Sequence, residues 1–186
     1  MEKYRVVPDA IGFVPDDVVN IEFGKNIVNM GTVITPTQVH NQRPSAISWP
    51  VKSSRLYTLL MTDIWPIEKI PEDPFHHWLV VNIPGCEIEK GDTLIDYLGI
   101  APVKGYGYHR YVFLVYEQSE RIKHNEEYIS STCPDGREGE SIADIAKKYN
   151  LGKPMAANFL LSEYDEFCGR HCPYGWFGTC SVVCRL

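Results

Sequence analysis

A mainly β fold, an antiparallel β-sandwich-like arrangement with helices near the C-terminus, is predicted by three features of this 186-residue chain. Short runs rich in β-branched and aromatic residues dominate its first two thirds, and Pro, Gly, Asn and Asp separate them. The strongest helical pattern comes only after residue 140. No two of the strand-like runs are joined by a helical pattern of roughly 10–15 residues, which argues against a repeated β-α-β architecture.

The strand candidates are VVNIEF (18–23), NIVNMGTVI (26–34), LYTLLM (56–61), HWLVVNI (77–83) and YVFLVYEQ (111–118). The first helix starts at Ser141, with Asp144 completing a capping-box-like pattern. It carries Ile142, Ile145, Ala146 and Tyr149 on one face. Asn150 and Gly152 stop it, and Pro154 follows. A second helix is predicted from Asn158 to Phe167, with Phe159, Leu160, Tyr164 and Phe167 apolar. There is no internal repeat, low-complexity segment or obvious linker. The chain reads as one domain over residues 1–167 with a Cys-rich tail, 168–186, packed on or near it.

Composition narrows the function classes. Apolar residues make up 44% and charged residues 23%, and the net charge is −6. A general affinity for nucleic acid needs a basic face, so none is expected. No apolar run approaches the roughly 20 residues of a bilayer-spanning helix. The N-terminus lacks a signal-peptide apolar region, and no Asn-x-Ser/Thr sequon occurs, so a cytoplasmic location is expected. The cysteines pull the other way. Cys86 and Cys133 stand apart, while Cys168, Cys172, Cys180 and Cys184 crowd the tail as two C-x3-C pairs. Reduced thiols, two disulfides (which would place the protein outside the cell) and a zinc site are all compatible with that spacing. If the tail is disulfide-linked, bridges from Cys168 or Cys172 to Cys180 or Cys184 are the expected ones.

The chemistry-bearing candidates are Asp63, His77, His109 and Tyr111, each at the end of a strand, where loops gather in a sandwich. One carboxylate, two imidazoles and a phenol supply donors and acceptors for a small anion. Glycines 99, 105 and 107 would let backbone N–H groups approach the same anion. The competing reading has each histidine capping a strand end or bonding a loop carbonyl. His109 and Tyr111 alternate along a strand start and share a face, so Arg110 between them points the other way, into an ion pair or loop clamp. No H-x-H or H-E-x-x-H spacing supports a metal, and no nucleophile elbow or P-loop is present. The G-x-G at 105–107 precedes a strand, not a helix, which argues against a dinucleotide loop. Neither a cofactor nor an enzymatic activity is expected.

The wording ITPTQVHNQRPSAISWP (34–50), LYTLLMTD, HHWLVVNIPG, DYLG, KGYGYHRYVFLVYEQ and LGKPMAANFLLSEYD resembles, in that order, the phosphatidylethanolamine-binding protein family, which includes Raf kinase inhibitor protein. The likeness runs from about residue 18 to 167. It implies a β-sandwich-like fold with C-terminal helices and a small anion pocket. That pocket accepts phosphate, phosphoryl headgroups and carboxylates, and carried over by position it comprises Asp63, His77, Gly99, Pro102, His109 and Tyr111. Three departures bear on ligand choice. The family's acidic-arginine loop is DIWPIEK here, placing Trp65 as an apolar wall over the pocket or as packing beneath the loop. Ala101 replaces a glycine whose N–H reaches the phosphate, and the Cys-rich tail replaces the segment over the pocket. The resemblance also implies a cis bond at Trp65-Pro66. The expected function is binding of a phospholipid headgroup or other small anion by a monomer, with His77 and His109 supplying hydrogen bonds or charge opposite Asp63. Peripheral membrane contact is compatible with this. The alternatives are a kinase or protease regulator acting through the 63–72 loop and the tail, or a secreted carrier.

Overall fold

The computed structural model describes residues 1–39, 42–65 and 74–171. A 3-10 turn at Glu2–Tyr4 and α1 (Val6–Asp9) open the chain. They are followed by β1 (Asp17–Val18), β2 (Asn20–Phe23), β3 (Asn26–Val28), β4 (Thr32–Val33), α2 (Pro36–Val39) and β5 (Ala46–Ser48). The central hairpin is β6 (Leu56–Ile64) and β7 (Phe75–Pro84). After β8 (Asp92–Ile95) and β9 (His109–Gln118) come α3 (Ile142–Lys148), β10 (Ala156–Ser162) and α4 (Glu166–His171). The large sheet has the order β1-β10-β9-β6-β7-β8, with β4 also on β10; the small sheet is β3-β2-β5. Pairing is antiparallel except where β1 and β4 run parallel to β10. Among the described residues, no helix is long and apolar enough to cross a membrane.

Strands β6, β7, β9 and β10 are buried on both faces, which is why they read as unbroken apolar runs. One face packs Leu59, Met61, Trp78, Phe113 and Val115 against Val19, Ile21, Phe23 and Val28 near the small sheet. The other packs Leu60, Leu79, Val81, Val112 and Leu114 against Val6, Ile11, Ile142 and Ile145. The mainly β prediction therefore holds, with three corrections.

The run 18–23 divides at Val19, with β1 in the large sheet and β2 in the small one. The run 26–34 divides likewise, turning at Met30 (φ 42°) and Gly31 (φ 104°). Gly31 is sterically required, since a Cβ there would sit 3.0 Å from Tyr4 and 3.1 Å from the Phe159 ring. The predicted helix 158–167 is instead strand β10 as far as Ser162; its helical part begins only at Glu166. A short run buried on both faces has no periodicity to separate strand from helix. Asn158 explains why this strand sits where it does. Its amide donates to the carbonyls of Val19 (2.8 Å) and Val28 (3.1 Å), and its oxygen accepts from Met30 N–H (2.9 Å). The backbone groups freed where the chain changes sheets are satisfied by this one side chain. The predicted helix over 142–149 is present. Ser141 Oγ accepts from Asp144 N–H at 3.1 Å.

Arg110 turns to the helix-bearing face, as alternation predicts. It donates to the carbonyls of Tyr4 (3.1 Å), Arg5 (3.0 Å) and Trp65, and pairs with Asp9 at 2.7 Å. Arg110→Ala should therefore lower stability by about 2–4 kcal/mol, because it leaves those buried acceptors unpaired. The loss should appear as a lower melting temperature and faster amide exchange over residues 4–9; an unchanged melting temperature would overturn the assignment.

Candidate functional site

On β6 and β9 simple alternation carries Met61 and Asp63, and His109, Tyr111 and Phe113, to one face. Strand β7 does not alternate regularly. Met61 lies opposite Trp78, but the next residue, Thr62, lies opposite His76, so His77 is an extra residue in a β-bulge. Without the bulge His77 would face the helices beside Leu79 and Val81. With it, His77 joins Phe75 on the face of Asp63 and Tyr111. Its ring meets Phe75 edge-on at 4.9 Å and Tyr111 at 5.2 Å. His76 is sent the other way, and its Nε2–H donates to the Glu140 carbonyl at 2.8 Å.

The resulting cluster is almost wholly enclosed, with Asp63 5%, His77 1%, His109 2% and Tyr111 0% exposed. His109 Nδ1–H donates to Asp63 Oδ2 at 2.8 Å, and His77 Nδ1–H donates to the Leu98 carbonyl at 2.8 Å. Each bond fixes which ring nitrogen faces inward. Asp63 Oδ1, His77 Nε2, His109 Nε2 and the Tyr111 hydroxyl remain, buried and with no hydrogen-bond partner among the described residues. The Tyr111 hydroxyl lies beside the Asp63 carboxylate and the Ala101 N–H but closes a hydrogen bond with neither.

Burial pushes the His77 imidazole down to about 4, against a smaller opposing pull from Asp63, so His77 is neutral at pH 7. Burial likewise lowers His76 and drives the Tyr111 phenol well above its ordinary value, with Asp63 adding to the latter. Of the two roles expected of His77, hydrogen bond or charge, the neutral ring fits the first. It is a neutral imidazole whose inward nitrogen accepts.

Of the sequence-predicted residues, the structure brings together Asp63, His77, His109, Tyr111 and Trp65, with the Ala101 backbone beside them. Trp65, 8% exposed, stands 5.5 Å from the His109 ring and 5.6 Å from Tyr106, as an apolar wall on the cluster. Ala101 is not among the non-glycine residues with positive φ, so alanine occupies this place without left-handed strain. Gly99 and Pro102 are buried on the same segment, which is tied to β7 by Leu98 N–H donating to the His77 carbonyl at 2.9 Å. Among the described residues, no group of three or more His, Cys, Asp or Glu is placed to hold a metal ion.

Pro66 and the rest of the expected loop lie outside the described residues, as do Cys172, Cys180 and Cys184; the described cis bond is Val7-Pro8. Cys133, read from sequence as standing apart, is disulfide-bonded, while Cys86 and the buried Cys168 are thiols. Sequence reasoning missed Arg137. In CPDGREGE it reads as an exposed turn residue, yet it is 0% exposed and donates to the carbonyls of both His76 (3.1 Å) and His77 (3.2 Å).

Four likenesses bear on this arrangement. The chain is 32% identical over 172 residues to a Drosophila melanogaster protein named "Putative odorant-binding protein A5", covering 90% of this chain and 80% of that one. It resembles the solution structure of CG7054 at 38% identity and a TM-score of 0.68, covering 89% of this chain and 94% of that one. A carboxypeptidase Y inhibitor, solved with its cognate proteinase, shares the fold at 24% identity and a TM-score of 0.73, over 88% of this chain and 93% of that one. The family model described as phosphatidylethanolamine-binding protein matches residues 13–160, most of the chain and all the strands around the pocket. The chain therefore belongs to the phosphatidylethanolamine-binding protein family.

Proposed function

We propose that this protein is a non-enzymatic binder of small phosphoryl-bearing anions, of the kind carried on phosphatidylethanolamine-type headgroups. One observation carries the reading: four polar atoms, from Asp63, His77, His109 and Tyr111, are buried together without partners. Leaving each unsatisfied costs about 1–3 kcal/mol, a cost that a ligand with matching groups removes. The relatives' names, for odorant binding and for inhibition, accord with binding rather than turnover. A role as kinase or protease regulator would rest on the 63–72 loop and on the 168–186 tail, most of each outside the described residues.

Proton placement decides how an anion is accepted. With both Nδ1–H groups already donating, each ring turns Nε2 inward, and on the neutral His77 that nitrogen is a lone pair. The hydroxyl of Tyr111 and the N–H of Ala101 are then the nearby donors. A phosphoryl oxygen therefore enters with one proton, carried either by the ligand toward Asp63 Oδ1 or by His109 Nε2, whose imidazolium stays paired with Asp63. Affinity should rise as pH falls from about 7.5 to about 6, the range in which a phosphate monoester takes up a proton. Calorimetry with phosphorylethanolamine and with a phosphodiester, which has no titrating proton there, separates the carriers. A rise for both assigns the proton to His109, and a rise for the monoester alone assigns it to the ligand. Flat affinity for both overturns the model. His109→Ala should weaken binding roughly 10- to 150-fold, the worth of a charge-assisted bond, and Arg110→Ala by much less.

Stability follows the opposite course. The folded-state value of His77 lies below its unfolded value, so the unfolded chain binds the extra proton. Stability is complete above about pH 6.5 and is lost toward pH 4, by on the order of 3 kcal/mol. Thermal melts of ligand-free wild type and His77→Gln across pH 7 to 4.5 should show the shallower slope in the variant.

The Cys133 disulfide bond favours the secreted location over the cytoplasmic one expected from the N-terminus. Alkylation without reductant should label Cys86 and leave Cys133 unlabelled in protein from its own source. Labelled Cys133 would restore the cytoplasmic expectation.

A further inference from the structure

The carbonyls of His76 and His77 are both turned toward Arg137. Among the described residues its fully buried guanidinium donates five hydrogen bonds to main-chain carbonyls: Nε to Cys133 (2.7 Å), Nη1 to His76 (3.1 Å) and His77 (3.2 Å), and Nη2 to Asp96 (2.9 Å) and Ser130 (2.8 Å). A guanidinium has five N–H donors in a fixed fork, so each has an acceptor. The backbone closes the same junction from the other side, since His76 N–H donates to the Arg137 carbonyl at 2.8 Å. Gly136, at φ 78°, makes the turn that sends Arg137 inward, and a Cβ there would press on Ile129 at 3.2 Å.

We infer that Arg137 is the positioning residue of the pocket, holding the β7 bulge by its carbonyls so that His77 faces Asp63 and Tyr111. The role rests on the pocket reading above and adds to it how the pocket is kept open to one geometry. A bulge leaves strand carbonyls out of register with the neighbouring strand, and buried carbonyls need partners. Arg137 supplies them from beyond β8. It also grips the Asp96 carbonyl two residues before Leu98, whose own carbonyl fixes the His77 tautomer. Bulge, tautomer and the 98–102 segment thereby share one clamp. Arg137 bonds the main-chain carbonyl of His77 and acts through it.

Arg137→Lys is the direct test. An ammonium has three donors and cannot span five carbonyls around a planar fork. In the folded variant, histidine-selective 15N spectra should show His77 losing its single Nδ1–H tautomer, with its titration moving up from about 4. Calorimetry with inorganic phosphate should show affinity falling about 10- to 100-fold, the scale of a misplaced binding group. A merely structural role would lower the melting temperature while leaving tautomer, titration and affinity unchanged, and that result overturns the inference. Should wild type fail to bind phosphate while the tautomer still changes in the variant, the pocket reading falls and the positioning role stands. If Arg137→Lys does not fold, the wild-type guanidinium gives the answer. Four separate, slowly exchanging Nη–H resonances support the clamp, and freely averaged ones overturn it.

Discussion

The extra residue at His77 reverses the inside–outside alternation of β7, and the pocket's composition follows from that reversal. Regular pleating would have placed His77 among aliphatic side chains under the helices and His76 beside Asp63. The same strand is bulged a second time at its other end. Tyr57 pairs with Ile83 but Leu59 with Val80, and Asn82 sits there at φ 60°. There too the disturbed backbone is met by side chains. Gln118 accepts from Asn82 N–H at 2.7 Å, and the Asn82 amide donates to Asp92 (2.7 Å) and to the Ile122 carbonyl (2.9 Å). Strand β7 is therefore a regular segment, Trp78–Val81, between two irregular ends, each fixed by a buried polar side chain from elsewhere in the chain. One end is satisfied within the protein; the other leaves polar atoms unspent.

That asymmetry is what the proposed binding role rests on. Around Asn82 the partners close on one another. Around His77 they stop short, and Phe75, Trp65 and Tyr106 form apolar walls where water would otherwise compensate. Few water dipoles are then available to screen Asp63, which strengthens its interaction with whatever enters. The unliganded fold is less stable than a fully paired one would be, a common cost of a preformed site.

The sequence was informative where residue type alone decides. The fully buried β6, β7 and β9, the Ser141 cap, the turn of Arg110 to the opposite face and the gathering of Asp63, His109 and Tyr111 on one face could all be read from it. It was silent where distant partners decide. The sheet changes at Val19 and Met30 depend on Asn158, more than 120 residues away, and AANFLL is a strand because β9 and Asn158's contacts hold it there. Its place at a strand end named His77 with the others, but the bulge that turns it inward leaves no local mark in FHHWLVV. Arg137 is the extreme case. A charged residue after Asp-Gly reads as solvent-facing, and only the placement of carbonyls from β7 and from the segments after β8 gives it a buried role.

The way the large sheet ends has a bearing on how copies of the chain meet. Along one side of β10, two parallel two-residue strands, β1 and β4, occupy the edge in turn, with the small sheet's β2 and β3 spliced between them. On the opposite side β8 is four residues long, and its Ile95 is already bridged to Ile129. Neither border offers a long straight row of free amides and carbonyls on which a foreign strand could align. A core this rich in continuous β-forming sequence would be hazardous with a bare margin. Here the hazard is confined to the time before residues 156–162 arrive and recruit both short strands, so the last of the described strands to leave the ribosome is also the one that seals the sheet.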